Sequence, residues 1–139
     1  MIVLDTNVVS ELMRPEPAEP VVSWIASQPA TSQYTTTVTQ AEILYGIQLL
    51  AAGKRRARLL SAADSMFAED FAGRVLSFGS EAATLYARIA ADRRRVGRPI
   101  SHFDAQIAAI ARASGAKVVT RNIADFRGCG IEVVDPWDR

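Results

Sequence analysis

The stretch that decides the fold is the first one, Ile2-Val3-Leu4-Asp5-Thr6-Asn7. Three consecutive aliphatics with no polar alternation read as a short strand buried on both faces, the habit of a parallel sheet. The run stops on a carboxylate. Asp5 is either the N-cap of a helix starting near Val8 or the floor of a site at the end of a strand, and alone it reads equally well both ways.

Working outward, the pattern repeats. A helix from about Val8 ends before Arg14-Pro15 and Pro17, and Val21, Val22, Trp24 and Ile25 suggest a second short one ending near Pro29. Tyr34-Thr35-Thr36-Thr37-Val38 is rich in β-formers. Thr39 to Leu50 then carries Ile43, Leu44, Ile47 and Leu50 on one stripe, and Gly53 closes it. A further helix holds Leu59, Leu60, Ala63, Met66 and Phe67. Residues 75–78 read as a strand, 80–96 as a long helix ended by Gly97 and Pro99, and 102–114 as a helix ended by Gly115. Lys117-Val118-Val119-Thr120 and Ile131-Glu132-Val133-Val134 are the last two strands. Strands alternating with helices predict an α/β fold with a mainly parallel sheet. The 139 residues fit a single domain, 1–139, without repeats or linker.

Composition narrows the class. The 49% apolar fraction supplies a core, and one cysteine, Cys129 in a Gly-Cys-Gly turn, excludes an internal disulfide. A net charge of +1 argues against coating nucleic acid by charge alone, so any RNA contact is local. No signal peptide or membrane-length apolar run is visible, so the expected setting is soluble and cytoplasmic.

The acids form the constellation. Asp5 ends the first strand, Thr120-Arg121-Asn122 and Asp125 leave a later strand at the same edge, and Glu42 and Asp104 lie in the first turns of helices. Ligands in open α/β sheets bind beyond the carboxyl ends of strands. Asp5, Glu42 and Asp104 would repel one another there, and a hard divalent cation would relieve that repulsion. Carboxylates without a His or Cys cluster favour Mg²⁺ or Mn²⁺ over zinc. The plainer reading is capping: Thr39-x-x-Glu42 has capping-box spacing and Ser101-x-x-Asp104 is similar. His102, the only histidine, reads as structural or surface.

The ordered set Leu4-Asp5-Thr6-Asn7, Ala41-Glu42-Ile43 with Gly46, Asp104-Ala105 with Ile107-Ala108-Ala109, and Val119-Thr120-Arg121-Asn122 with Asp125-Phe126 resembles a PIN domain. More narrowly it is similar to the VapC and FitB-like toxins of bacterial toxin–antitoxin pairs, and Asp135-Pro136-Trp137 is similar to the Asn-Pro-Trp ending of the FitB-like branch. The resemblance implies a three-layer α/β/α sandwich with about five strands and a metal-dependent endoribonuclease. It implies metal ligation by Asp5, Glu42 and Asp104, with Asn7 and Thr120 orienting Asp5. The family's fourth acid falls on Asn122 here, a departure that Asp125 could compensate. The resemblance also implies a homodimer, and an antitoxin partner that plugs the site and carries any DNA-binding segment.

Arg121 is the best single candidate for a substrate phosphate. Lys54-Arg55-Arg56 with Arg58, and Arg93-Arg94-Arg95 with Arg98, read equally as RNA contacts or solvated helix faces. Trp24 and Tyr45 could stack on bases, though core packing is the stronger expectation for both. Three rivals remain. A phosphoaspartyl phosphatase wants a second acid where Asn7 stands. A dinucleotide-binding domain lacks its glycine-rich turn. A catalytically weak PIN-like module that binds RNA or a partner draws support from Asn122.

Overall fold

Burial on both faces is what an unalternating strand demands, and Val3 and Leu4 are fully buried in opposite layers. The computed structural model describes residues 1–138. Its five strands are β1 (Ile2–Leu4), β2 (Gln33–Thr36), β3 (Val75–Leu76), β4 (Lys117–Val119) and β5 (Val133–Val134). They run in the order β3-β2-β1-β4-β5, and every pairing is parallel.

Helices α1 (Thr6–Leu12), α2 (Glu19–Ala26), α3 (Thr37–Gln48) and α4 (Lys54–Ser65) contribute to one core, around Leu4, Val8, Val9, Val21, Ile43 and Phe67. Helices α5 (Ser80–Arg95) and α6 (His102–Ala113) build the other, around Val3, Ile89, Ile107, Ile110, Val118 and Phe126. The result is the expected α/β/α sandwich. The stretch Ala105–Ala111 of α6 is buried apart from Gln106, and its alanines let α5 and the sheet approach closely.

Several boundaries differ from expectation. Helix α1 starts at Thr6, directly on Asp5, rather than near Val8. Strand β2 stops at Thr36, whose hydroxyl accepts the Thr39 N–H at 3.0 Å and caps α3. Helix α3 therefore begins two residues before Thr39. Glu42 lies in its second turn, not its first, and Thr39 is not the cap. Strands β3 and β5 are two residues each, shorter than expected; β3 stops at Leu76 because its partner β2 ends opposite it at Thr36.

Topology locates the site. From β1 the chain winds to β2 and β3, then crosses to β4 on the other side of β1. The β1/β4 boundary is thus where the winding reverses, the place where open parallel sheets leave a crevice. The register Leu4↔Val119 sets Asp5 beside Thr120 there, and the Asp5 N–H donates to Val119 O at 2.9 Å.

Candidate active site at the carboxyl edge of the sheet

Asp5 both caps α1 and floors the crevice. Its Oδ1 accepts the Thr6 N–H at 2.8 Å. Its Oδ2 accepts the Thr120 hydroxyl at 2.7 Å and the Asn7 amide at 3.3 Å. The Thr120 oxygen in turn accepts from the Asn7 amide and the Asn122 N–H, so its one proton and both lone pairs are committed. Asn7 Oδ1 accepts the Arg121 N–H at 3.2 Å, which ties the chain leaving β4 to the first turn of α1.

Glu42 reaches the same edge from α3. Its Oε1 accepts the Thr6 hydroxyl at 2.8 Å. Thr6 has one hydroxyl proton, so in its contact with Thr39, 3.0 Å away, the Thr39 hydroxyl is the donor. The carboxylate is oriented by a side chain and does not reach back to a backbone N–H as a capping box would. Asp104 lies in the first turn of α6, where the Ser101 hydroxyl accepts its backbone N–H at 3.1 Å. Ser101 does the capping.

Electrostatics places these acids within range of one another. Burial pushes Asp5 up from its ordinary 3.8 to about 6, its hydrogen bonds hold it back, and the charges of Asp104 and Glu42 add to the rise. Burial and the Asp104 charge raise Glu42. Burial and the Asp125 charge raise Asp104, while Arg93 pulls the other way. The four acids expected from sequence therefore share one field. Asn122 joins it through its backbone N–H only, and its side chain is exposed.

Sequence reasoning gave no role to Thr6, which joins the Asp5 turn to Glu42, and read Arg93 only as part of a basic run. Arg93 is buried, which corrects its reading as part of a solvated or RNA-facing run. Its guanidinium donates to the carbonyls of Arg98 at 2.7 Å, Asp125 at 2.8 Å and Arg127 at 3.0 Å, and lies 3.7 Å from Cys129 Sγ. It thus anchors the 3₁₀ turn Ile123–Phe126 that carries Asp125. Arg94, Arg95 and Arg98, and Lys54, Arg55 and Arg58, are exposed. Tyr45 is 67% exposed, contrary to its expected core role, whereas Trp24 packs against the core of the α1–α4 layer. His102 is exposed and bonded to the Tyr86 hydroxyl, in keeping with a surface role.

The donor set is all oxygen. Among the described residues no three acidic, histidine or cysteine side chains cage a metal by themselves. An ion that takes one or two carboxylates and fills its shell with water suits this arrangement, whereas a preformed zinc or calcium cage does not. No helix among the described residues is long and apolar enough to cross a membrane.

Known proteins share this architecture. The chain is 38% identical to the VapC ribonuclease Y4jK of Sinorhizobium fredii, over 99% of both chains. It is 37% identical to Toxin FitB of Neisseria gonorrhoeae, again over 99% of both. The structure of FitAB bound to an IR36 DNA fragment superimposes with a TM-score of 0.92 at 37% identity, covering 100% of this chain and 97% of the other. Residues 2–127 match the PIN domain, and the chain belongs to that family.

Proposed function

We propose that the chain is a metal-dependent endoribonuclease, the toxin of a toxin–antitoxin pair, hydrolysing RNA phosphodiester bonds. The observation that carries this reading is the shared field of Asp5, Glu42 and Asp104 at the β1/β4 edge, where each carboxylate is raised and none has a cationic partner in an ion pair among the described residues. The ribonuclease and toxin names of its relatives point the same way.

Asp5, Glu42 and Asp104 would hold Mg²⁺ or Mn²⁺, directly or through water, and the ion would supply Lewis acidity toward phosphate oxygens and a water. Thr120 and Asn7 fix the Asp5 carboxylate so that it meets its load without rearranging. Thr6 holds Glu42 Oε1, leaving Oε2 to orient the attacking water and take its proton, a task its raised pKa suits. The water oxygen attacks phosphorus in line as the P–O3′ bond breaks. The products are a 5′ phosphate and a 3′ hydroxyl that takes its proton from solvent. Asp125 and Arg93 tune Asp104, and Arg121 meets backbone charge.

The partner side of the proposal is a homodimer in the cytoplasm, held inactive by an antitoxin through which the assembly touches DNA; the FitAB assembly bound to a DNA fragment supports the DNA contact.

Incubating the purified chain with a structured RNA pool, with Mg²⁺, Mn²⁺ or chelator, tests the proposal beside Asp5→Asn and Asp104→Asn. Discrete metal-dependent cuts with 5′ phosphate ends, lost in both variants, are expected. Intact RNA with no calorimetric metal binding by the wild type would overturn the nuclease in favour of a binding module.

A further inference from the structure

The chain returns to the site at its end. After β5, Asp135 Oδ1 accepts the Trp137 N–H at 2.8 Å, Pro136 is buried, and the half-buried Trp137 packs on the core of the α1–α4 layer. Its indole lies under the Arg121 guanidinium, 5.0 Å from ring centroid to Cζ. No carboxylate among the described residues pairs with Arg121, which is exposed. Its backbone N–H is bonded to Asn7, which is bonded to Asp5. Trp137 is thus joined to the floor of the site through Arg121 and Asn7.

We propose that Trp137 is a positioning residue for RNA: its indole holds the guanidinium of Arg121, a residue whose backbone is tied to Asn7 beside the carboxylate site, so that the guanidinium takes a backbone phosphate of RNA bound there. The inference rests on the ribonuclease reading and adds a binding role for a residue that touches none of the acids. The chemistry favours it. A guanidinium face laid on an indole keeps its charge and its in-plane N–H donors, the edge that grips phosphate oxygens. An ion pair would use those donors up. Stacking also removes in advance much of the rotamer freedom that a free arginine surrenders on binding. The neighbouring site is acidic, so RNA arriving there needs a fixed cation.

The test is binding of a mixed-sequence, single-stranded 20-mer RNA in chelator, across a salt series, so that the readout is independent of cleavage. Arg121→Ala is expected to weaken binding and to flatten the log Kd against log salt slope by about 0.7, one phosphate contact on a single strand. Trp137→Leu, which keeps apolar bulk on the core, is expected to weaken binding about 5–10-fold. Trp137→Phe should fall between, and thermal unfolding checks that each variant folds. The double variant should bind no worse than Arg121→Ala alone, because Trp137 acts only through that side chain. Unchanged binding by Trp137→Leu, or losses that add in the double variant, would overturn the proposal while leaving the nuclease intact. A wild type that neither binds nor cuts RNA would overturn both.

Discussion

Replacing Asp5 by asparagine should stabilise the protein near neutral pH and remove its activity. Asp5 is 4% exposed, and its pKa rises from 3.8 unfolded to about 6 folded. A raised carboxyl pKa means that the folded state binds the proton more tightly. The stability of the neutral form is therefore complete below 3.8, erodes as pH climbs toward 6, and stays lost above it. At about 1.36 kcal/mol per pK unit, the full cost to the wild type is about 3 kcal/mol at pH 7.5 and about 1 kcal/mol at pH 4.5. Asparagine never carries that charge. It does disturb the bonds that Thr120 and Asn7 donate to Oδ2, at a cost of about 1 kcal/mol at either pH. The difference in stability between variant and wild type should thus move in favour of the variant by about 2 kcal/mol between pH 4.5 and pH 7.5, a relative melting-temperature swing of about 6 °C for a chain of this size. Urea unfolding in chelator at the two pH values measures it. Adding Mg²⁺ should then stabilise the wild type more than the variant. A variant whose stability relative to wild type is the same at both pH values would show that Asp5 titrates normally, and the account of a strained carboxylate would be wrong.

Four further outcomes follow from the same contacts. Thr120→Val removes the hydroxyl that holds Asp5 down, so the acid limb of the rate profile should move to higher pH and activity at pH 7 should fall roughly 10-fold. Asp125→Asn removes a negative neighbour of Asp104, so Asp104 should titrate lower by NMR, whereas Asn122→Ala, which keeps the backbone N–H to Thr120, should change activity little. Arg93→Leu strips donors from three carbonyls and should cost about 2–3 kcal/mol in urea unfolding while loosening the Asp125 turn.

The sheet was legible because its central strands carry no polar alternation. Val3, Leu4, Val118 and Val119 announce burial on both faces, and the acids follow the ends of such strands. The start of α3 was not legible for an equally physical reason. Thr35, Thr36, Thr37 and Thr39 are all β-formers and all able to cap, and only the pairing Thr36↔Leu76 decides where the strand stops. Thr6 was hidden because its partner Glu42 is 36 residues away in sequence and no local pattern records such a bond. Arg93 was legible in principle. Ala82, Ile89 and Arg93 fall on one face of α5, so helical phase separates it from Arg94 and Arg95, but a run of three arginines conceals that phase. Tyr45 lies off the buried Ile43–Ile47 stripe by the same geometry.

The choice between cap and site, open for every acid in the sequence, turns on what the fold already supplies. Helix α3 is capped by the Thr36 hydroxyl and α6 by the Ser101 hydroxyl, so neither Glu42 nor Asp104 is needed for capping. Asp5 does cap α1, but a cap needs one oxygen at the surface. Here the second oxygen is buried, doubly bonded, and still carries a raised pKa. A carboxylate kept only for stability would be paired or exposed, and its pKa would stay level or fall. Three acids that destabilise one another at the crevice the topology provides carry a cost to the fold, and a ligand that bound the charged form would recover that cost. The same field that would weaken the empty protein as pH rises is the field that would attract a hard cation. Stability of the free chain and affinity for the ion should therefore trade against each other at Asp5, Glu42 and Asp104, and not at the hydroxyls that cap the helices.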